Sequence, residues 1–246
     1  MFPVRDHNPS RRTPYVTYAL LALNILIFLS YWGVMQDPAR INPIFWNWAM
    51  IPAQITAGDN YISLVTSTFL HGGFMHLAGN MLFLWIFGDN LEDELGHVGF
   101  LIFYLFCGIL ANVAQILPDP SSAVPTVGAS GAIAGIMGGY LLMFPKAKVD
   151  ILIIFIVFIR IFPIPAWIML GLWFGLQIVS GVSVDTTNGG VAYWAHAGGF
   201  VIGILYLLPI WLRRGGRQWW DRTEGHPPHP DATYSPSTIP IIPRRK

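Results

Sequence analysis

Charge is what this chain has least of: 11% of its residues are charged, 54% are hydrophobic, and the formal net charge is +1. No basic face dense enough for nucleic acid exists outside the tails, and nothing points to an acidic soluble partner. There is one cysteine, Cys107, so no internal disulfide can form; it sits in an apolar run, where it is expected to be a small core residue. Asp and Glu are missing from every apolar run long enough to be a span, and His-Glu-x-x-His is missing altogether, so a membrane metalloprotease is disfavoured and no metal site is expected. Residues 1–13 carry Arg5, Arg11 and Arg12 without a short apolar core or small-residue cleavage site, so no cleaved signal peptide is expected.

What remains is apolar sequence, with a mean hydropathy of +0.52 over 246 residues. That implies an all-α polytopic membrane protein with one bundle and no room for a second folded domain. Six spans are predicted, at about 15–33, 74–87, 98–117, 130–144, 166–181 and 191–211. Thr13 and Pro14 read as N-cap and first helical position of the first span. The connection 34–68, with the Trp46-Asn47-Trp48 cluster, suits the membrane interface. The apolar run 149–162 ends at Pro163-Ile164-Pro165 and is too short for an ordinary span; an interfacial, re-entrant or half-span placement stays open. The expected organisation is a cytoplasmic tail over 1–13, a membrane domain over 14–212 and a Pro-rich, disordered cytoplasmic tail over 213–246. Both termini inside would put Arg5, Arg11, Arg12, Lys146, Lys148, Arg213, Arg214 and Arg217 on the cytoplasmic side.

Against this apolar background a few polar groups stand out. Ser130, in Gly128-Ala129-Ser130-Gly131, opens the fourth helix, and His196, in Ala195-His196-Ala197-Gly198-Gly199, lies near the start of the sixth. A hydroxyl and an imidazole in hydrocarbon each cost free energy unless they satisfy one another or perform a task. The fourth helix has about 15 residues, roughly 22 Å, against a hydrocarbon thickness of about 30 Å. With Pro145, Lys146 and Lys148 holding its end at the cytoplasmic face, Ser130 is expected in a recess below the outer surface, where irregular backbone requires protein or water around it. Gly131, Gly135, Gly138 and Gly139 on the fourth helix and Gly198, Gly199 and Gly203 on the sixth form small-residue faces that permit close approach. The seam would make Ser130 a nucleophile and His196 its base. His76 and Asn80, four apart on the second helix, would share a face and stabilise an oxyanion with the backbone amide of Ser130. A Ser-His dyad is expected; Asp119 and Asp185, in outer loops, are the candidates for a third member. His71 is expected to be a structural hydrogen-bond partner.

The His-x-x-x-Asn helix, the Gly-x-Ser-Gly and the Ala-His-x-x-Gly, in this order and over most of 15–211, resemble the rhomboid family of intramembrane serine proteases. The resemblance implies a six-helix bundle with a short fourth helix starting at the catalytic serine. It also implies no cofactor, Ser130 and His196 as catalytic pair, His76 and Asn80 as oxyanion donors, and transmembrane proteins in the lipid bilayer as substrates. Gly128, Gly131, Gly135 and Gly199 support the loop and the packing. Some members place an aromatic ring one turn after the serine to stack on the histidine; here that position is Ala134, so another group must hold the ring. A prokaryotic plasma membrane is the expected location. A non-catalytic rhomboid-like factor that binds membrane proteins is the alternative, while a transporter would want an inverted repeat or an intramembrane carboxylate. The fifth helix or the loop 185–190 is the expected substrate gate.

Overall fold

The computed structural model describes residues 2–8, 10–155, 158–185, 189–223 and 225. It is mostly helical. In chain order the elements are β1 (Phe2–Asp6), α1 (Tyr15–Trp32), α2 (Pro38–Trp48), α3 (Pro52–Thr56), α4 (Ser63–Thr66), a 3-10 turn (Ser67–Phe69), α5 (Phe74–Ile116), α6 (Ser130–Met143), β2 (Lys148–Phe155), β3 (Phe158–Pro165), α7 (Ala166–Ser183), α8 (Tyr193–Arg213) and α9 (Arg217–Thr223). Four of these, α1, α5, α7 and α8, are long and apolar enough by length and composition to cross a membrane, and α6 is a shorter apolar helix. At 43 residues α5 is about 65 Å long if straight, twice the hydrocarbon thickness. It is broken at Gly96, whose φ of 70° and ψ of 164° only glycine adopts readily. The expected second and third spans are thus two limbs of one interrupted helix. The stretch 88–94, expected to leave the helix, continues it.

Helix α6 is the axis of the molecule. Every residue from Gly131 to Tyr140 is buried, as expected for a helix apolar all round. Its glycines bring it against α8 backbone to backbone: a Cβ on Gly199 would lie on the carbonyl oxygen of Gly131, one on Gly203 on that of Gly135, and one on Gly138 on that of Phe200. Cys107 packs beside Gly135, buried as a core residue.

Helix α1 is capped from across the bundle. Pro14, not Thr13, occupies its N-cap position and offers no side-chain bond. The first amides go instead to the buried Glu92 of α5: Val16 N donates to Oε1 at 2.8 Å, Thr17 N to Oε2 at 2.7 Å and Thr17 Oγ1 to Oε2 at 2.7 Å. A carboxylate facing a helix N-terminus satisfies orphan donors and the helix dipole together.

The run 149–162 is strand rather than helix over its described residues, so it is not the first half of a bent helical span. It belongs to the hairpin β2–β3, with Lys148 opposite Pro165 and Phe155 opposite Phe158, and β1 pairs antiparallel on the other edge of β2. Part of the tail expected over 1–13 is therefore a strand of a three-stranded sheet. Arg5 Nε donates to Asp150 Oδ2, and His7 Nε2 lies against Asp150 Oδ1, each at 2.7 Å. Burial alone would raise the Asp150 carboxyl, but the bonds from Arg5 and His7 outweigh it and hold the group below its usual value. Within the stretch expected as a disordered tail from 213, α9 is helical and its Trp220 Nε1 donates to Leu142 O at the end of α6. The rest of that stretch, 224 and 226–246, lies outside the described residues. Lys146 N donates to Gly225 O at 2.9 Å, so β1, the end of α6 and the segment after α8 gather at one end of the bundle.

Candidate active site

Ser130 is placed by a loop tied down on both sides. Gly128 N donates to Ser67 O at 2.9 Å, and Asn112 Nδ2, on the second limb of α5, donates to Ser67 Oγ and Leu64 O, both at 2.9 Å. Met50 and Thr126 exchange both backbone bonds, at 3.1 and 2.7 Å. Gly128 has φ +127°, and a Cβ there would strike the His76 ring, so glycine is required for conformation and space alike. The N-cap of α6 is Ala129, whose methyl cannot cap, leaving the first-turn amides free to act beside Ser130.

The glycine seam delivers His196 to Ser130, with Nε2 and Oγ 2.7 Å apart. The other ring nitrogen, Nδ1, lies 2.8 Å from Oε1 of Gln177 on α7. An amide oxygen can only accept, so Nδ1 carries the proton and Nε2 presents its lone pair to the Ser130 hydroxyl. Trp173, one turn before Gln177, supports the ring with centroids 5.7 Å apart and planes 34° apart. These two α7 side chains hold the imidazole where Ala134 cannot. Gln177 occupies the position a triad carboxylate would take; of the two acidic candidates, Asp119 accepts from Ser121, and both Asp119 and Asp185 line the cavity rather than the Nδ1 side of the ring.

His76 and Asn80 share a face of α5 and open onto the same cavity as Ser130 and His196, a space of about 810 Å³. Gly72 N donates to His76 Nδ1 at 3.3 Å, which leaves the His76 proton on Nε2, the nitrogen beside Gly128. Asn80 is buried, and its Nδ2 has no acceptor among the described residues. His71 packs its ring edge-on against His76, centroids 5.2 Å apart, while its backbone N and O both bond Tyr31 Oη, at 2.7 and 3.0 Å. Burial first, then the neighbouring His76, push His71 down to about 3, so the ring is neutral; neither ring nitrogen has a hydrogen-bond partner among the described residues, and the expected structural bonds are made by its backbone instead.

The site contains two side chains that reading the sequence missed, Gln177 and Trp173. Gln177 had a signal: it is the only side-chain amide in α7, and a long polar group in an apolar span calls for a partner. Trp173 had none that separated it from the other aromatics. Of the expected gate loop 185–190, residues 186–188 lie outside the described residues.

Comparison with known proteins finds a match to the family model described as Rhomboid domain over residues 58–213. The chain is 30% identical over 204 residues to Rhomboid protein 1, mitochondrial, of Saccharomyces cerevisiae, covering 78% of this chain and 52% of that protein. It is 45% identical over 76 residues to Rhomboid-like protein 11, chloroplastic, of Arabidopsis thaliana, covering 31% of this chain and 27% of the other. A Bacillus subtilis rhomboid relative is 34% identical over 134 residues, 54% of this chain and 64% of its own. The chain thus spans less than two thirds of the length of each of these relatives.

Proposed function

Because the chain belongs to the rhomboid family, whose members include intramembrane proteases, we propose that it is an intramembrane serine endopeptidase with Ser130 as nucleophile and His196 as general base. The observation that carries the reading is the 2.7 Å approach of His196 Nε2 to Ser130 Oγ at the wall of a cavity also lined by His76 and Asn80.

The reaction proceeds in two transfers. As Oγ attacks the scissile carbonyl carbon, its proton passes to Nε2 and the carbonyl oxygen becomes an oxyanion. His76 Nε2–H, Asn80 Nδ2–H and the Ser130 amide are the donors at hand, each worth on the order of 3 kcal/mol in such a role. The imidazolium then protonates the leaving amine as the C–N bond breaks. Water, deprotonated by Nε2, attacks the acyl carbon, and as the C–Oγ bond breaks the proton passes from Nε2 to Oγ, restoring Ser130 and neutral His196. The substrate class is membrane proteins cut in or beside a transmembrane segment, in keeping with a cavity set into an apolar bundle.

In this reading the two limbs of α5 cross separately and, with α1, α6, α7 and α8, make six spans. The end bearing β1, β2 and β3 and the segment after α8 is cytoplasmic, since the basic residues collect there. Helix α6, at 14 residues or about 21 Å, then leaves Ser130 below the outer surface. The relatives are named for mitochondria and chloroplasts and one is bacterial, which gives no support to the prokaryotic plasma membrane over the others; the chain is an integral membrane protein.

The test is reconstitution of the full chain in liposomes with a single-span substrate. The native chain is expected to cut it, and Ser130→Ala and His196→Ala to lose the activity by more than about a thousandfold. Cleavage by both variants at the native rate overturns the assignment, and a folded native chain that binds but never cuts favours the non-catalytic factor.

A further inference from the structure

The hydrogen bonds around His196 run in one direction only. Gln177 Nε2 donates to the Trp173 carbonyl one turn back at 3.4 Å, Gln177 Oε1 lies 2.8 Å from His196 Nδ1, and His196 Nε2 lies 2.7 Å from Ser130 Oγ. A backbone carbonyl can only accept, so it holds the NH2 end of the amide and turns the oxygen towards the imidazole. An amide flipped the other way would present N–H to Nδ1, force the proton onto Nε2, and leave the ring unable to take a proton from Ser130. We propose that Gln177 is the positioning residue of this site: its side-chain carbonyl selects the His196 tautomer in which Nε2 is the base, and ties that selection to the seat of α7.

The inference rests on the Ser-His reading above and adds a role that neither residue of the pair supplies. Throughout the cycle Gln177 takes no proton. When the Ser130 proton moves to Nε2 as the Oγ–C bond forms, Nδ1–H stays on its nitrogen and the amide dipole faces the new imidazolium charge. When Nε2 gives that proton to the leaving amine, the same tautomer is restored without rotation of the ring. Trp173 adds a ring contact but no acceptor, so it cannot substitute. The coupling to α7 follows from where Gln177 sits: its α7 neighbours Trp173 and Phe174 pack on His196 and Phe200 of α8, so one α7–α8 contact seats the amide and the imidazole together. Displacing α7 outward by more than about an ångström stretches the bond to Gln177 beyond hydrogen-bond range, and the base loses its orientation.

The test uses the full chain in liposomes, with kcat and KM measured for Gln177→Met, which keeps the shape and removes the acceptor, and Gln177→Glu, which keeps an acceptor. Gln177→Met is expected to lower kcat by about 10- to 100-fold, the size seen when the partner orienting a metal-bound histidine is lost and less than the roughly 10⁴-fold of a triad histidine held in the wrong tautomer, with KM within about twofold. Gln177→Glu is expected to recover at least half of that loss on a logarithmic scale. A Gln177→Met enzyme within twofold of native kcat, equal impairment of both variants, or a raised KM with native kcat overturns the proposal. Ser130→Ala in the same assay separates the two readings. If it is silent while Gln177→Met is native-like, only the positioning role fails; if it cuts as fast as the native chain, the catalytic reading fails with it.

Discussion

Asn80 carries a buried amide nitrogen with no acceptor among the described residues, a condition that costs about 1–3 kcal/mol in an ordinary core. Beside the cavity of Ser130 and His196 the cost has a use under the proposed reaction, because an oxyanion formed there would gain a preorganised donor. Replacing it should separate function from stability: Asn80→Ala is expected to lower kcat about 100-fold with KM little changed, and to leave the unfolding temperature in detergent equal or higher. Loss of stability without loss of kcat would make Asn80 a structural amide instead. At this scale the sequence was informative where a polar side chain in an apolar span also belonged to a spaced motif, which is how Ser130, His196, His76 and Asn80 stood out. Gln177 also lies in an apolar span but belongs to no spaced motif, and the tautomer it fixes depends on a carbonyl four residues away that sequence does not display.

Among the elements, the α6–α8 contact is the one on which the site depends. Gly199 sits against the Gly131 carbonyl, so Gly199→Leu must part the two helices and separate Ser130 from His196. It is expected to abolish cleavage while the protein still inserts; Gly171→Ala on α7, where a Cβ would meet nothing within 4 Å, is expected to keep activity within about twofold. Native cleavage by Gly199→Leu would remove the seam from the account. The start of α1 depends on a different device. Glu92→Gln puts an NH2 among donors that need acceptors, and should destabilise the fold by about 1–3 kcal/mol, read as a lower unfolding temperature with kcat retained in the remaining folded protein. The long apolar helices α1, α6, α7 and α8 were legible to within a few residues because length and hydropathy dominate in lipid, whereas α2, α3, α4, α9 and the continuation of α5 through 88–94 were not. The sheet was not: 149–162 is rich in β-branched residues but shows no clear period, and its β1 partner lies about 145 residues away in what reads as a polar tail. The Glu92 cap was equally hidden, since the carboxylate and the helix it caps are separated by more than 70 residues.

Across the whole molecule, the two ends of the bundle have different tasks. One holds the cavity; the other gathers β1, the hairpin and α9 beneath α6. Asp6 holds β1 to this second end, its Oδ2 accepting from Tyr140 Oη of α6 at 2.8 Å and from Asn90 Nδ2 at 3.0 Å. Burial first, then the neighbouring Asp89 carboxylate, push Asp6 up to about 8. The folded chain therefore holds a proton there that the unfolded chain releases above about pH 4. Below pH 4 both states carry it, and stability is lost as the pH rises from about 4 to about 8. The unfolding temperature is expected to fall across that window in the native chain and to be flatter in Asp6→Asn; identical slopes would mean that Asp6 titrates normally.

The account stands on Ser130 being a nucleophile made reactive by His196, and active-site labelling reads that directly. The native chain in liposomes is treated with a fluorophosphonate and the adduct located by mass spectrometry. The account predicts a single adduct on Ser130, lost in His196→Ala while both proteins unfold at the same temperature. An unlabelled Ser130 in folded native protein, or labelling that is undiminished without His196, would contradict it.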